Sequence, residues 1–238
     1  MSASPELEQV SKELQQDLEL SAPPIQITYL EEAPSGVPEH PGGAPSVCTF
    51  FAAGRSNPFF ASIRAHEDCE IGAFVLGLPP QGPLGDRLTS TVGMMQREGY
   101  LRPGDEGKIV RNQKAPNFVA YGPLGSLPMA PTAVLMFANP KSAMLALEAA
   151  PESVPVNGRP MCSLVPTLNH GAPVALSVGC IGSRIYTSMG DDTMLVGVRG
   201  DYLERFVAEV RKIHRANEIV GAENTRRKER AASAAQGP

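Results

Sequence analysis

Residues 133–137 form an uninterrupted apolar run, and Asn139-Pro140 directly after it opens a helix reaching to about residue 150. Asparagine is a favoured N-cap and proline suits the first helical turn. Met144, Leu145 and Leu147 supply the apolar positions of that helix. This is the clearest strand–helix unit in the chain. Further strands are predicted at residues 25–30, where Ile25-Gln26-Ile27-Thr28-Tyr29-Leu30 alternates, at 59–64, at 118–121 and at 194–198. A largely apolar run over 173–178 adds another strand and delivers the backbone to Gly179-Cys180-Ile181-Gly182. Helices are predicted from Ser4-Pro5 to about residue 18, with Leu7, Val10, Leu14 and Leu18 on one face, and over 47–53, ending at Gly54. Two more are expected at about 86–99 and over 201–214, the latter with Leu203, Phe206, Val207, Val210 and Ile213 aligned. The expected fold is α+β: residues 1–220 as a single compact domain, a mixed sheet flanked by helices, with N- and C-terminal helices. From Gly221 the chain has no apolar stripe, so 221–238 is expected to be a flexible, disordered tail.

With 23 glycines and 23 prolines, long irregular connections are expected, such as 31–45, which carries His40. A net charge of −4 argues against nucleic acid as the main partner. No apolar run approaches the roughly 20 residues that span a bilayer, and the acidic N-terminus does not read as a signal peptide. A cytoplasmic protein with no membrane partner is expected. There, four cysteines are more readily thiols or ligands than structural disulfides.

Those cysteines are Cys48, Cys69, Cys162 and Cys180, and no two form a C-x-x-C pair. Spacing alone therefore argues weakly for a shared site, and buried free cysteine is a common core residue. Yet Cys48, Cys69 and Cys180 each lie at an element boundary beside glycine or charge, and Cys48 falls in a helical first turn that favours a thiolate. Soft thiolates from separate segments would suit an iron–sulfur cluster or zinc. Arg55 and Arg184 follow two of the cysteines closely and could depress a thiol pKa or hold an anion. His66 precedes Cys69 and His170 precedes the Cys180 strand, so either could act as ligand or acid–base group. Asp191-Asp192 could bind a cation, although an acidic turn is the plainer reading. No phosphate-loop, dinucleotide or nucleophile-elbow pattern is present.

Cys48 with Arg55, Cys69 with Gly72 and Gly77, Cys162, and Ser177-x-Gly179-Cys180-x-Gly182-Ser183-Arg184 together resemble the prokaryotic domain-of-unknown-function family 169, the ArCR type. The resemblance extends from about Ile25 to Phe206 and implies cysteines at some of these four places, which raises the shared-site reading. It implies no reaction. One departure is Gly197-Val198-Arg199-Gly200, where arginine stands in place of a proline.

The leading expectation is a metal- or iron–sulfur-dependent protein, an enzyme acting on a small polar or anionic molecule at a cysteine-lined site. Cys48, Cys69, Cys162 and Cys180 would bind the iron–sulfur cluster, or alternatively zinc, and Arg184, His66 and His170 would be the catalytic candidates. Redox (oxidoreductase) or lyase/hydrolase-type chemistry is implied, with a small-molecule substrate, an electron donor and a homo-oligomer as partners. The alternatives are a metal-free enzyme with Cys180 as nucleophile and a non-catalytic ligand-binding module.

Overall fold

The computed structural model describes residues 4–156, 160–187 and 189–235. Its centre is a seven-stranded mixed sheet in the order β2-β3-β1-β4-β7-β6-β5. The strands are β1 (Ile25–Leu30), β2 (Phe59–Ser62), β3 (Phe118–Pro123), β4 (Ala133–Ala138), β5 (Val154–Pro155), β6 (Val174–Ser177) and β7 (Met194–Arg199). All neighbours run antiparallel except β5 and β6.

Side chains alternate across a strand, and both faces of the central strands are covered. Val134, Met136, Val196 and Val198 point to one face, where α1 (Pro5–Asp17), α5 (Pro140–Glu148) and α8 (Leu203–Ala235) pack through Leu14, Leu18, Leu145, Phe206 and Val210. Ile25, Ile27, Tyr121, Leu135 and Leu195 point to the other. That second layer holds α2 (Val47–Ala53), α3 (Glu70–Val75), α4 (Gly82–Arg97), α6 (Leu164–Asn169) and α7 (Ile181–Thr187). Every cysteine belongs to the second face.

The chain differs from sequence expectation in a few places, each with a local cause. The strand expected over 59–64 stops at Ser62, whose hydroxyl accepts from Ala65 N–H and caps a 3-10 turn, Ile63–His66. In α5 the buried positions are Ala143, Leu145 and Ala146, while Met144 faces out. Beyond Gly221, where a tail is expected, α8 continues to Ala235 as an almost wholly exposed extension; residues 236–238 lie outside the described residues. Strong helix formers and a local charge set, Glu223 with Arg226, Arg227 and Arg230, favour helix there without any buried stripe.

The Gly197-Val198-Arg199-Gly200 segment has a steric explanation. A Cβ on Gly197 would stand 2.1 Å from Leu164 Cδ2, because α6 lies directly on the strand backbone there. A Cβ on Gly200 would stand 1.8 Å from the Pro131 carbonyl oxygen. Arg199 N–H donates to Pro173 O, a bond that a proline could not make. Replacing Gly197 by Ala is expected to cost about 1–2 kcal/mol, limited by rotation of the Leu164 tip. Urea denaturation read by circular dichroism checks this; an unchanged midpoint would show that α6 is not seated as described.

Candidate cysteine centre

Four separate segments deliver one sulfur each. Ser46 caps α2, its hydroxyl accepting from Thr49 N–H, and so fixes Cys48 in the buried first turn. Cys69 is itself the N-cap of α3, its sulfur accepting from Gly72 N–H at 3.3 Å, and the Val47 backbone also favours its thiolate. Cys162 is buried in the 3-10 turn Met161–Ser163, which leads into α6. Cys180 stands in the turn between β6 and α7.

That last turn is tightly specified. Gly179 has a φ of +92°, a region that glycine enters without a Cβ penalty. Ser183 O–H donates to Cys180 O at 2.8 Å and its oxygen accepts from Cys180 N–H at 2.9 Å, while Ser183 N–H donates to the Cys180 sulfur at 3.4 Å. The Met161 backbone also lowers the pKa of this sulfur.

The four thiols converge. Each influences the ionisation of the others in every pairing, and the strongest of these couplings joins Cys48 and Cys180. The neighbouring Cys48 thiol, with the Met161 and Ser183 backbone, pulls the Cys180 pKa down to about 5 against the effect of burial. The same pairing pushes Cys48 well up, reinforced by burial and by the other sulfurs. Burial and the neighbouring thiols raise Cys162; burial raises Cys69, with the Val47 and Gly72 amides opposing. The strongest influences on these sulfurs are one another, burial and backbone amides, with no cationic side chain among them. Such a nest carries one negative charge readily and four only against an added cation.

The donor set, four soft sulfurs with amide N–H groups aimed at them, fits a thiolate-bound inorganic centre. Among the described residues, no three His, Cys, Asp or Glu side chains are placed to hold a metal ion.

The other sequence-predicted residues stand elsewhere. Arg184 donates to the carbonyls of Val178, Gly190 and Thr193, tying α7 to the loop before β7. It positions the Cys180 turn from outside. His66 is fully buried, with Nδ1 on Ser62 O at 2.9 Å and Nε2 on Tyr121 Oη at 2.8 Å. His170 is the exposed C-cap of α6. Arg55 lies over the Phe137 ring, 4.9 Å from its centroid. Asp192 accepts from the neighbouring Thr193 hydroxyl. Sequence reasoning missed the roles of Ser183 and of the Val47 and Met161 amides. Ser183 stands inside the quoted motif, but a side chain that caps its own turn is not distinguishable there from a surface serine.

The exposed side of α7 is apolar: Val178, Ile181, Ile185 and Tyr186 are each at least half exposed. Among the described residues, no helix is long and apolar enough to cross a membrane. A family model described as DUF169, uncharacterised ArCR, matches residues 13–209. No curated protein and no solved structure matches the chain.

Proposed function

The chain belongs to the uncharacterised ArCR family DUF169, and we propose that it is an iron–sulfur protein whose cluster is held by Cys48, Cys69, Cys162 and Cys180. The observation that carries this reading is the gathering of four thiols from four segments into one buried layer, each close enough to disfavour ionisation of the others, with amide donors aimed at two of the sulfurs. Iron–sulfur clusters are ligated by cysteine thiolates and tuned by hydrogen bonds to sulfur. A single zinc requires all its sulfurs within one coordination sphere of about 2.3 Å, and no three ligating side chains among the described residues are so placed. A cluster carrying its own bridging sulfides separates its cysteines further, so it is the better match, with zinc as the alternative.

When bound, the cluster would supply electron transfer or an open Lewis-acid position for a small polar substrate. The residues of the chain have the remaining tasks. Ser183, Gly72 and the Met161 and Val47 amides orient the sulfurs and offset their charge, and Arg184 locks the Cys180 turn by its three carbonyl bonds. An electron donor and a cytoplasmic setting complete the reading. Neither His66 nor His170 is assigned a catalytic role in it, because one has both ring nitrogens engaged and the other lies at an exposed helix end.

The depressed pKa of Cys180, about 5, with the Ser183 N–H donating to its sulfur, favours a second reading, a metal-free enzyme with Cys180 as nucleophile. Anaerobic purification with iron, sulfide and zinc quantified separates the two. Brown protein with a broad visible absorbance, lost in Cys180→Ala and Cys48→Ala, is the expected result. Colourless, metal-free protein that one equivalent of an alkylating reagent inactivates would replace the first reading with the second. Cysteine variants that lose stability alone would leave a ligand-binding module.

A further inference from the structure

A cavity lies at the C-terminal ends of α2 and α7, whereas Cys48 and Cys180 stand at their N-terminal ends. It has a volume of about 210 Å³ and is bounded by Ser21, Arg55, Phe137, Asn139, Ser142 and the 189–193 loop. Helices α2 and α7 pack on one another and each starts beside a cysteine. At 1.5 Å per residue, the seven residues of α2 place its Arg55 end about 10 Å from its Cys48 end. The cavity is therefore separate from the cysteine centre, although the same two helices build both.

We propose that this cavity binds a small monocarboxylate, with Arg55 as its anchor. The Arg55 guanidinium is half-buried and held over the Phe137 ring, and among the described residues it has neither an ion pair nor a hydrogen bond. A planar cation fixed in this way presents its remaining N–H donors to the cavity. Carboxylate is the anion that such a fork binds bidentately. The volume admits only a small molecule. Of the acids on the rim, Glu19 is paired with Lys141 at 2.6 Å, but Asp192 has only the Thr193 hydroxyl among the described residues. Its charge discriminates against a ligand bearing a second negative group. The Ser21, Ser142 and Thr187 side chains add hydroxyls to the lining, suiting a carboxylate with a polar substituent. This site does not depend on what the cysteines hold.

The test uses the full-length protein as purified, titrated calorimetrically with glycolate and with succinate against sodium chloride of matched ionic strength. Glycolate is expected to bind the wild type, and Arg55→Met, which keeps an apolar stem on Phe137, is expected to weaken it about tenfold or more. Arg55→Lys should fall between the two, since it keeps the charge and loses the fork. Asp192→Asn should retain glycolate and improve succinate binding. Absence of glycolate binding to the wild type, or equal affinity in the wild type and Arg55→Met, would overturn the proposal. So would undiminished binding in Arg55→Lys together with no effect of Asp192→Asn on succinate.

Discussion

Between pH 6.5 and pH 4 the protein is expected to lose about 3 kcal/mol of stability through His66 alone. The Ser62 carbonyl can only accept, so His66 Nδ1 carries the proton and Nε2 accepts from the Tyr121 hydroxyl. The imidazole is therefore neutral, packed 4.3 Å from Phe50 between ring centroids. Burial lowers its pKa from 6.5 to about 4, opposed by the Ser62 and Ile63 backbone and aided by nearby His40. A second proton on Nε2 would meet the Tyr121 hydroxyl, which would have to reverse its hydrogen bond inside a cage of Phe50, Phe51 and Phe59. The sign follows from the depressed folded value. Below pH 6.5 the unfolded chain takes up a proton that the folded chain refuses, so this contribution is complete above 6.5 and declines as the pH falls toward 4. Urea midpoints measured across that range, compared with His66→Gln, check this. A wild-type slope no steeper than that of the variant would mean that the imidazole already titrates in the folded protein.

The second large effect is expected from a single methyl group at Gly72. A Cβ there would stand 2.4 Å from Val47 Cγ2 and 2.9 Å from the Cys69 sulfur. Both are closer than real Cβ contacts, so the sulfur, the Val47 side chain or the first turn of α3 must move. Alanine would improve helix propensity by up to about 1 kcal/mol. Overpacking opposes this by about 1–3 kcal/mol and wins, so the fold survives with a modest loss. The cysteine centre fares worse, because the Gly72 and Val47 amides both hold the Cys69 sulfur. Disturbing such outer contacts typically weakens metal affinity by about 10–100-fold. After anaerobic reconstitution, Gly72→Ala should hold less iron and sulfide and release iron to a chelator faster than the wild type. Equal content and equal release would remove Cys69 from the proposed ligand set.

Much of the sheet was legible because its strands carry their own signals. Residues 25–30 alternate, 133–137 form an apolar run closed by Asn139-Pro140, and 194–198 stand apart between polar loops, and all three appear as strands. Helix α7 was not legible. Its Ile181-Gly182-Ser183-Arg184 start has weak helical propensity, and it forms because Ser183 closes the turn and Arg184 anchors three carbonyls from two flanking segments. Those anchors lie at Val178, Gly190 and Thr193, and no local pattern specifies them.

The candidate centre divides in the same way. Cys48, Cys69 and Cys180 could be picked out from helix starts and glycines, yet their convergence with Cys162 is a product of how α2, α3, α6 and α7 stack on one face. The histidines near the cysteines in sequence are placed by a related rule. His66 is close to Cys69 in sequence, but the 3-10 turn rotates its ring toward Tyr121 and the sheet. Adjacency along the chain carries no information about which way a turn points.

The gathering of thiols from distant segments also sets a timetable for biosynthesis. Cys180 follows β6, so the set is incomplete until the sheet is nearly all translated, and β7 must still insert between β4 and β6. Any group bound by all four sulfurs would have to be installed on a nearly finished chain. Both faces are sealed by their own apolar contacts, so a group bound at the cysteines would cross-link α2, α3, α6 and α7 in a layer that already packs without it.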